Sequence, residues 1–367
     1  MAKRVILAVA GAGKTYHICH NIDKDKKNLI LAYTHENIKN IRKELFCAFG
    51  CIPKLTTVLT FDSLIYRYMI LPYEPSILQF FEKEKFITKG ITLNKPEPQT
   101  INNKPNYRYI PKSQIGHYLT KKGFYYCDNI SELITYIGKG KDRLIKKIAI
   151  NINKFYDNIL IDEFQDFREY DFDLIISLAK EVDNITLVGD YNQHSVSATN
   201  NSGKPFKKGK KDISYNDFKV TIKKLGFEVD ENILQNSRRC PKNICNFINK
   251  KLNIKITHSN DNLGDVFFVK DTIESVLDDT SIVKLVYKEA NKYKFRALNW
   301  SYSKGDTFNN VCVILTDTFE KIDSVNFTCN SISRININKL YVALTRTKGN
   351  LYIIKQSDFK NIKEKYL

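Results

Sequence analysis

The sequence predicts an α/β protein with two parallel-sheet domains, and three observations carry that expectation. An apolar run over residues 5–10 feeds straight into a glycine-bearing loop that ends in Lys14-Thr15. Strand-like and helix-like segments alternate through the first seventy residues. A second apolar run, over residues 159–161, stops at the paired acids Asp162-Glu163. Such β-α-β alternation builds mostly parallel sheets with ligands at the carboxyl ends of the strands, and the glycine-bearing loop stands at such an end.

In chain order the pattern reads as a strand at residues 4–8, a helix from Lys14, a strand at 28–33, a helix through Glu44 and a strand ending at Leu59. From residue 72 to 150 the rhythm breaks at Pro72, Pro75, Pro96, Pro98, Pro105 and Pro111, which marks an insertion. That stretch holds 14 Lys or Arg against 7 Asp or Glu, interleaved with Tyr107, Tyr109, Tyr118, Phe124, Tyr125, Tyr126 and Tyr136. Aromatic rings among cations suit a single strand, whose bases stack while its phosphates are neutralised; rings packing the insertion's own core explain them equally well. The sheet resumes at Asn158. A polar stretch over residues 200–211 reads as an exposed crossing, after which strand-like residues 228–234 and 311–315, a helix after Pro241 and a final helix and strand through Ile354 would build a second sheet. The expected division is residues 1–71 with 151–199, an insertion at 72–150, and a second domain at 200–367.

The chemistry follows from the two motifs. In Val5-Ile-Leu-Ala-Val-Ala-Gly-Ala-Gly-Lys-Thr15, Gly11 and Gly13 let the backbone approach a phosphate, Lys14 can reach its β and γ oxygens, and Thr15 can hold Mg²⁺. The backbone from Ala10 through Ala12 to Tyr16 completes the cradle. The first glycine of the general GxxxxGK[ST] pattern is Ala8 here. In Asn158-Ile-Leu-Ile-Asp-Glu-Phe-Gln-Asp166, Asp162 can hold Mg²⁺ through water and Glu163 can polarise an attacking water. A tight turn or a solvated acidic helix start would explain either motif alone; the two in this order point to phosphoryl transfer.

Composition sets bounds. The 367 residues suffice for two domains with cores of their own, and 43% apolar content excludes wholesale disorder. No apolar run approaches the eighteen residues of a membrane span, and removal of a leader would destroy the loop, so a cytoplasmic protein without a cleaved signal is expected. The 58 Lys and Arg against 40 Asp and Glu give +18, which favours a polyanionic partner, although a residue bias from an AT-rich genome would also raise Lys. The eight cysteines show no CxxC spacing and read as reduced thiols, not zinc ligands.

With these residues in hand, the chain resembles the superfamily 1 DNA helicases of the UvrD, Rep and PcrA type over nearly its whole length. The carriers, in order, are Ala8-Val-Ala-Gly-Ala-Gly-Lys-Thr15, Ala32-Tyr-Thr-His-Glu-Asn-Ile-Lys-Asn-Ile-Arg42, Thr60-Phe-Asp-Ser-Leu64 and Leu160-Ile-Asp-Glu-Phe-Gln-Asp166. They continue with Leu187-Val-Gly-Asp-Tyr-Asn-Gln193, Ser237-Arg-Arg-Cys-Pro-Lys-Asn-Ile244, Ser303-Lys-Gly-Asp-Thr-Phe308 and Tyr341-Val-Ala-Leu-Thr-Arg346. The resemblance implies two RecA-like P-loop domains with one insertion in the first. It implies that Gln193 senses the γ-phosphate and that Arg239 and Arg346 reach it from the second domain, so that hydrolysis is coupled to closure. It places Arg238 where the family's aromatic stacks on adenine, Gly305 near the nucleotide, and Thr34, Thr60, Phe61, Tyr191 and Trp300 as candidates for contact with the strand.

Several family features do not carry over. The glutamine-containing segment upstream of the phosphate loop has no counterpart in the three residues before Arg4, and Ser195-Val-Ser-Ala-Thr-Asn200 stands where a tryptophan-containing segment often follows. Ser301 and Thr307 replace a common histidine and glutamate, and only about fifty residues separate the fourth and fifth motifs, where the family often inserts a subdomain. The resulting expectation is an ATP- and Mg²⁺-dependent 3′-to-5′ motor on single-stranded DNA, working alone or with a nuclease or a replication or repair partner. A nucleotide-controlled binding switch and an RNA motor are the alternatives.

Overall fold

Two sheets organise the protein, which is described from a computed structural model over residues 2–85, 88–194, 204–209, 211–259 and 261–367. The segment 195–200 that replaces the tryptophan-containing motif, and residues 200–203 and 210 of the polar crossing, lie outside the described residues. Contacts gather the chain into two units. Met1–Val5, Thr15–Val188 and Val196–Val229 form the first; Ile6–Lys14, Gly189–Ser195 and Asp230–Leu367 form the second.

The first sheet is built from β1 (Ala2–Leu7), β2 (Asn28–Ala32), β3 (Thr56–Thr60), β4 (Asn158–Asp162), β5 (Asn184–Gly189) and β6 (Glu228–Asp230), in the spatial order β6-β1-β5-β4-β2-β3. β2 pairs parallel with β3 and β4, and β4 with β5. All five residues of β2 are buried, the continuous apolar run of a central parallel strand covered on both faces. Helix α1 (Lys14–His20) follows the glycine-bearing loop, and α2 (His35–Phe49) follows β2. The caps of α2 are legible. The Thr34 hydroxyl accepts the Asn37 N–H at 3.1 Å at one end; at the other, Gly50 adopts φ 72° and donates to the Phe46 carbonyl at 2.8 Å. Ile38, Ile41 and Leu45 form its buried stripe.

Between β3 and β4 the chain forms small elements, including a parallel pair of Gly90–Thr92 with Phe124–Tyr126 and the amphipathic helix α3 (Leu144–Phe155). Of the aromatic residues named above for this stretch, Tyr118 and Tyr125 are fully buried and serve its core, whereas Tyr107 is 89% exposed. The core explanation therefore holds for Tyr118 and Tyr125. After β4 comes α4 (Glu169–Ala179).

The second sheet contains β7 (Val266–Val269), β8 (Ile282–Val286), β9 (Ala297–Asn299), β10 (Asn310–Ile314) and β11 (Leu351–Ile354), in the order β7-β11-β10-β8-β9 with every pairing parallel. Helices α5 (Lys242–Leu252) and α6 (Arg334–Leu344) pack in the same unit, and one core joins Ile244, Ile248, Trp300, Val311, Val313, Leu340 and Leu344. The fold class is the expected one, α/β with two parallel sheets. One strand is reassigned: Glu228–Asp230 joins the edge of the first sheet beside β1, not the second. A three-residue strand that is at most half-buried needs only one hydrogen-bonded neighbour, and an edge supplies one. The strand β8 escaped the sequence pattern because Lys284 interrupts it. In the fold that lysine is 1% exposed with its ammonium donating to the Asp279 carbonyl, and burial holds its pKa below the usual lysine value.

Candidate nucleotide site

In the first unit the end of β4 meets the start of α1. The Thr15 hydroxyl donates to Asp162 Oδ2 at 2.7 Å, and the other oxygen of Asp162 accepts the Glu163 N–H at 2.9 Å. Asp162 is buried. Glu163 adopts φ 55° and ψ 42°, a left-handed conformation that is uncommon for a residue with a side chain and recurs at functional turns. Gln165, fully buried, donates from Nε2 to Glu163 Oε2 and so fixes one carboxylate oxygen. The Cys19 thiol behind this site is pushed up to about 12 by burial, with Asp162 and Glu44 adding to the rise, so it is an inert packing group.

A hydroxyl beside a carboxylate is the donor set that Mg²⁺ uses when phosphate oxygens and waters complete its shell, so Thr15 and Asp162 fit that ion. No larger acidic cage is needed.

The loop Ile6–Lys14 is assembled in the second unit. Gly11 has φ 72° and Gly13 φ 87°, and a Cβ on Gly11 would stand 2.6 Å from the Arg239 Cβ and 2.8 Å from the Ser237 Oγ, so glycine is required there for space as well as for backbone. The Gly11 carbonyl accepts the Arg238 N–H at 2.9 Å, and the Ala10 N–H donates to the Tyr341 hydroxyl at 2.9 Å. Burial, reinforced by Asp190, holds the Tyr341 phenol well above its ordinary pKa, so it stays protonated. No residue pattern marks Tyr341 as part of the loop's support; its contact with Ala10 does.

The other expected nucleotide residues fall as follows. Lys14 is 8% exposed. Gln193 donates to Asp190 Oδ2 at 2.9 Å, which fixes its amide within a tight turn. Arg239 donates to the Thr345 carbonyl at 3.2 Å, while Arg238 is exposed. Arg346 is buried, donating to the Val342 carbonyl at 2.8 Å, the Ser303 carbonyl at 3.3 Å and the Thr345 hydroxyl at 3.1 Å. These bonds use one N–H on each of its three nitrogens. Tyr16 is exposed and stacks on His20 at 3.8 Å, and Gly305 has φ 86° with open space around it.

The strand-contact candidates need correction. Trp300 is fully buried, donates its indole N–H to the Leu285 carbonyl at 3.1 Å and packs edge-on to Tyr287, so it is a core residue and cannot stack on a base. Phe61 is 1% exposed against Phe167, and Tyr191 is 4% exposed with the Arg334 guanidinium 5.3 Å from its ring centre. These rings are strand-contact candidates through the family resemblance alone, and long-range packing covers them. Thr60 is buried as the cap of a short helix, and Thr34, exposed at the start of α2, keeps a surface position. Replacing Trp300 with Ala is expected to destabilise the second unit by about 3–5 kcal/mol. Trp300→Phe, which retains most of the packing, should leave affinity for a single strand unchanged; a large loss of affinity in a folded Trp300→Phe protein would argue against the core role.

Residues 83–195 match the family model of the UvrD/REP helicase N-terminal domain. No curated protein matches the chain. Among solved structures it is similar to an arterivirus nonstructural protein 10 helicase in complex with DNA, at 14% identity and TM-score 0.47, covering 96% of this chain and 60% of that one. It is also similar to the PRRSV helicase, at 15% identity and TM-score 0.46, covering 99% of this chain and 54% of that one. The chain thus spans little more than half the length of either. The segment 83–195 is therefore similar to the N-terminal domain of the UvrD/REP helicases, and the motif order around it agrees with that similarity.

Proposed function

We propose that the protein hydrolyses ATP to move along single-stranded DNA, with residues 1–71 and 151–199 as the ATP-binding domain, 72–150 as an insertion and 200–367 as the second motor domain. The hydrogen-bonded pair Thr15–Asp162 next to Glu163 is the observation that carries this reading. Backbone N–H groups of the loop and the Lys14 ammonium would bind the phosphates. Thr15 and Asp162 would hold Mg²⁺, which when bound neutralises charge on the β and γ oxygens. Glu163 would take a proton from water as that oxygen forms a bond to the γ-phosphorus and the bond to the bridging oxygen of ADP breaks. Gln165 would position Glu163. Arg239, which lies against Gly11 within the second unit, would stabilise the charge that develops on the γ-phosphate together with Arg346. The 3′-to-5′ direction and the choice of DNA rest on the family resemblance.

A nucleotide-controlled switch is the second reading, favoured by the Arg346 hydrogen bonds within its own unit. No helix among the described residues is long and apolar enough to cross a membrane, in keeping with a proposed cytoplasmic role. Steady-state ATP hydrolysis measured with no nucleic acid, single-stranded DNA, single-stranded RNA or duplex separates the readings. Stimulation of about tenfold or more by single-stranded DNA is expected. Stimulation by RNA alone would move the track to RNA, and binding of ATP without stimulated turnover would favour the switch.

A further inference from the structure

A cavity of about 350 Å³ opens in the second unit between the last turn of α5, residues 327–330 and the first turn of α6. Its wall includes Lys250, Lys251 and Arg334, and no Asp or Glu lines it among the described residues. Asn253, Asn330 and the partly buried ring of Phe327 complete the lining. Lys251 is committed to the fold, since its ammonium donates to the Ser324 carbonyl at 2.6 Å and the Asp323 carbonyl at 3.3 Å and so ties the loop to α5. Lys250, next to it, is exposed.

Arg334 bears the second cation. Its Nη2 donates to Asn192 Oδ1 and its guanidinium lies over Tyr191, while its buried Nε finds no hydrogen-bond partner among the described residues. A guanidinium is a strong partner for a phosphate oxygen. Cations on two sides, amides for polar edges and one aromatic face match the chemistry of a nucleotide: phosphate, base edge and ring.

We propose that this cavity binds one phosphate-bearing nucleotide unit, with Lys250 and Arg334 on the phosphate and Phe327 against the base. The site is separate from the phosphate loop. A ligand that draws on Arg334 also draws on the turn that carries Gln193, since the same guanidinium holds Asn192 and Tyr191. The unit could belong to a polynucleotide strand or be a free nucleotide, and the two sources differ experimentally.

The test is equilibrium binding by the full chain carrying Lys14→Ala, so that the phosphate loop contributes little. The probes are a fluorescent short oligothymidylate and a fluorescent ADP. Lys250→Glu is expected to weaken one of them by about tenfold or more, while Lys288→Glu, an exposed cation outside the cavity, should change either by less than about threefold. Loss of the oligothymidylate signal identifies a strand, and loss of the ADP signal identifies a free nucleotide. Phe327→Leu should weaken the same probe. If Lys250→Glu changes neither probe, or acts no more strongly than Lys288→Glu, the site does not exist. Because these readouts need no hydrolysis, a failure of the ATPase reading leaves this one standing, and the reverse also holds.

Discussion

Replacing Glu163 with Gln is expected to lower ATP turnover by about 10²–10⁴, while nucleotide still binds and the fold is retained. The amide keeps the volume of the carboxylate but cannot accept a proton from water. The position tolerates the change structurally, because the left-handed backbone at Glu163 is held by its neighbours and by the Asp162 carboxylate, which accepts the Glu163 N–H. Gln165 meets an amide oxygen as readily as a carboxylate oxygen. Thermal unfolding and binding of a fluorescent ATP analogue should therefore match the wild type, with the loss confined to kcat. Wild-type turnover in a purified Glu163→Gln protein would falsify the assignment of Glu163 as the base.

The second large effect is expected at Arg168, which no sequence signal marked. Its guanidinium donates to Asp171 Oδ2 at 2.8 Å, Asp62 Oδ1 at 2.8 Å, Asp128 Oδ1 at 3.2 Å and the Cys127 carbonyl at 3.0 Å, and it lies 5.5 Å from the centre of the Tyr33 ring. One side chain thus ties the start of α4, the segment after Thr60-Phe61 and the insertion. Cys127 adds to the cluster. Its thiol, pushed up to about 12 by burial and by Asp62, stays protonated and donates to Asp62 Oδ2 at 2.9 Å.

Arg168→Ala leaves Asp171, which is 1% exposed, without its cation, and losing one partner of such a buried set costs about 3–5 kcal/mol. A fall in Tm on the order of 10 °C is expected. The pH dependence has a definite sign. Burial raises the Asp62 pKa, and the attraction of Arg168 only partly offsets it. A carboxyl raised in the folded state favours folding when protonated and loses that contribution as pH rises through its folded pKa. Without Arg168 the rise is larger, so the deficit of the variant should shrink on moving from neutral pH to about pH 4. A deficit that is absent at neutral pH, or that grows on acidification, would show that the cluster does not hold these segments together.

The contrast between Glu163 and Arg168 describes the sequence as a source of information. Lys14, Thr15, Asp162 and Glu163, the proposed nucleotide and Mg²⁺ residues, were legible because the chemistry proposed for them requires fixed residue types at fixed offsets from a strand end, and a strand end is a local feature. Helix α2 was legible because Thr34, the Ile38, Ile41 and Leu45 stripe and Gly50 lie within one continuous segment. Arg168 carries no such local signal, because its partners Asp62 and Asp128 are 106 and 40 positions away. Trp300 misled for the same reason, since its exposure depends on Leu285, Tyr287 and Phe319 packing around it.

By itself, then, the sequence determined the α/β class and the two parallel sheets, and it supplied the residue types of the proposed phosphate site, all of which follow from local periodicity and short motifs. Only the tertiary structure decided that residues 228–230 close the edge of the first sheet, that Tyr341 and Arg239 brace the phosphate loop, that three aromatic candidates are core, and that Lys250 and Arg334 share a cavity. Burial and long-range pairing are properties of the whole packed chain, and no short window of residues contains them.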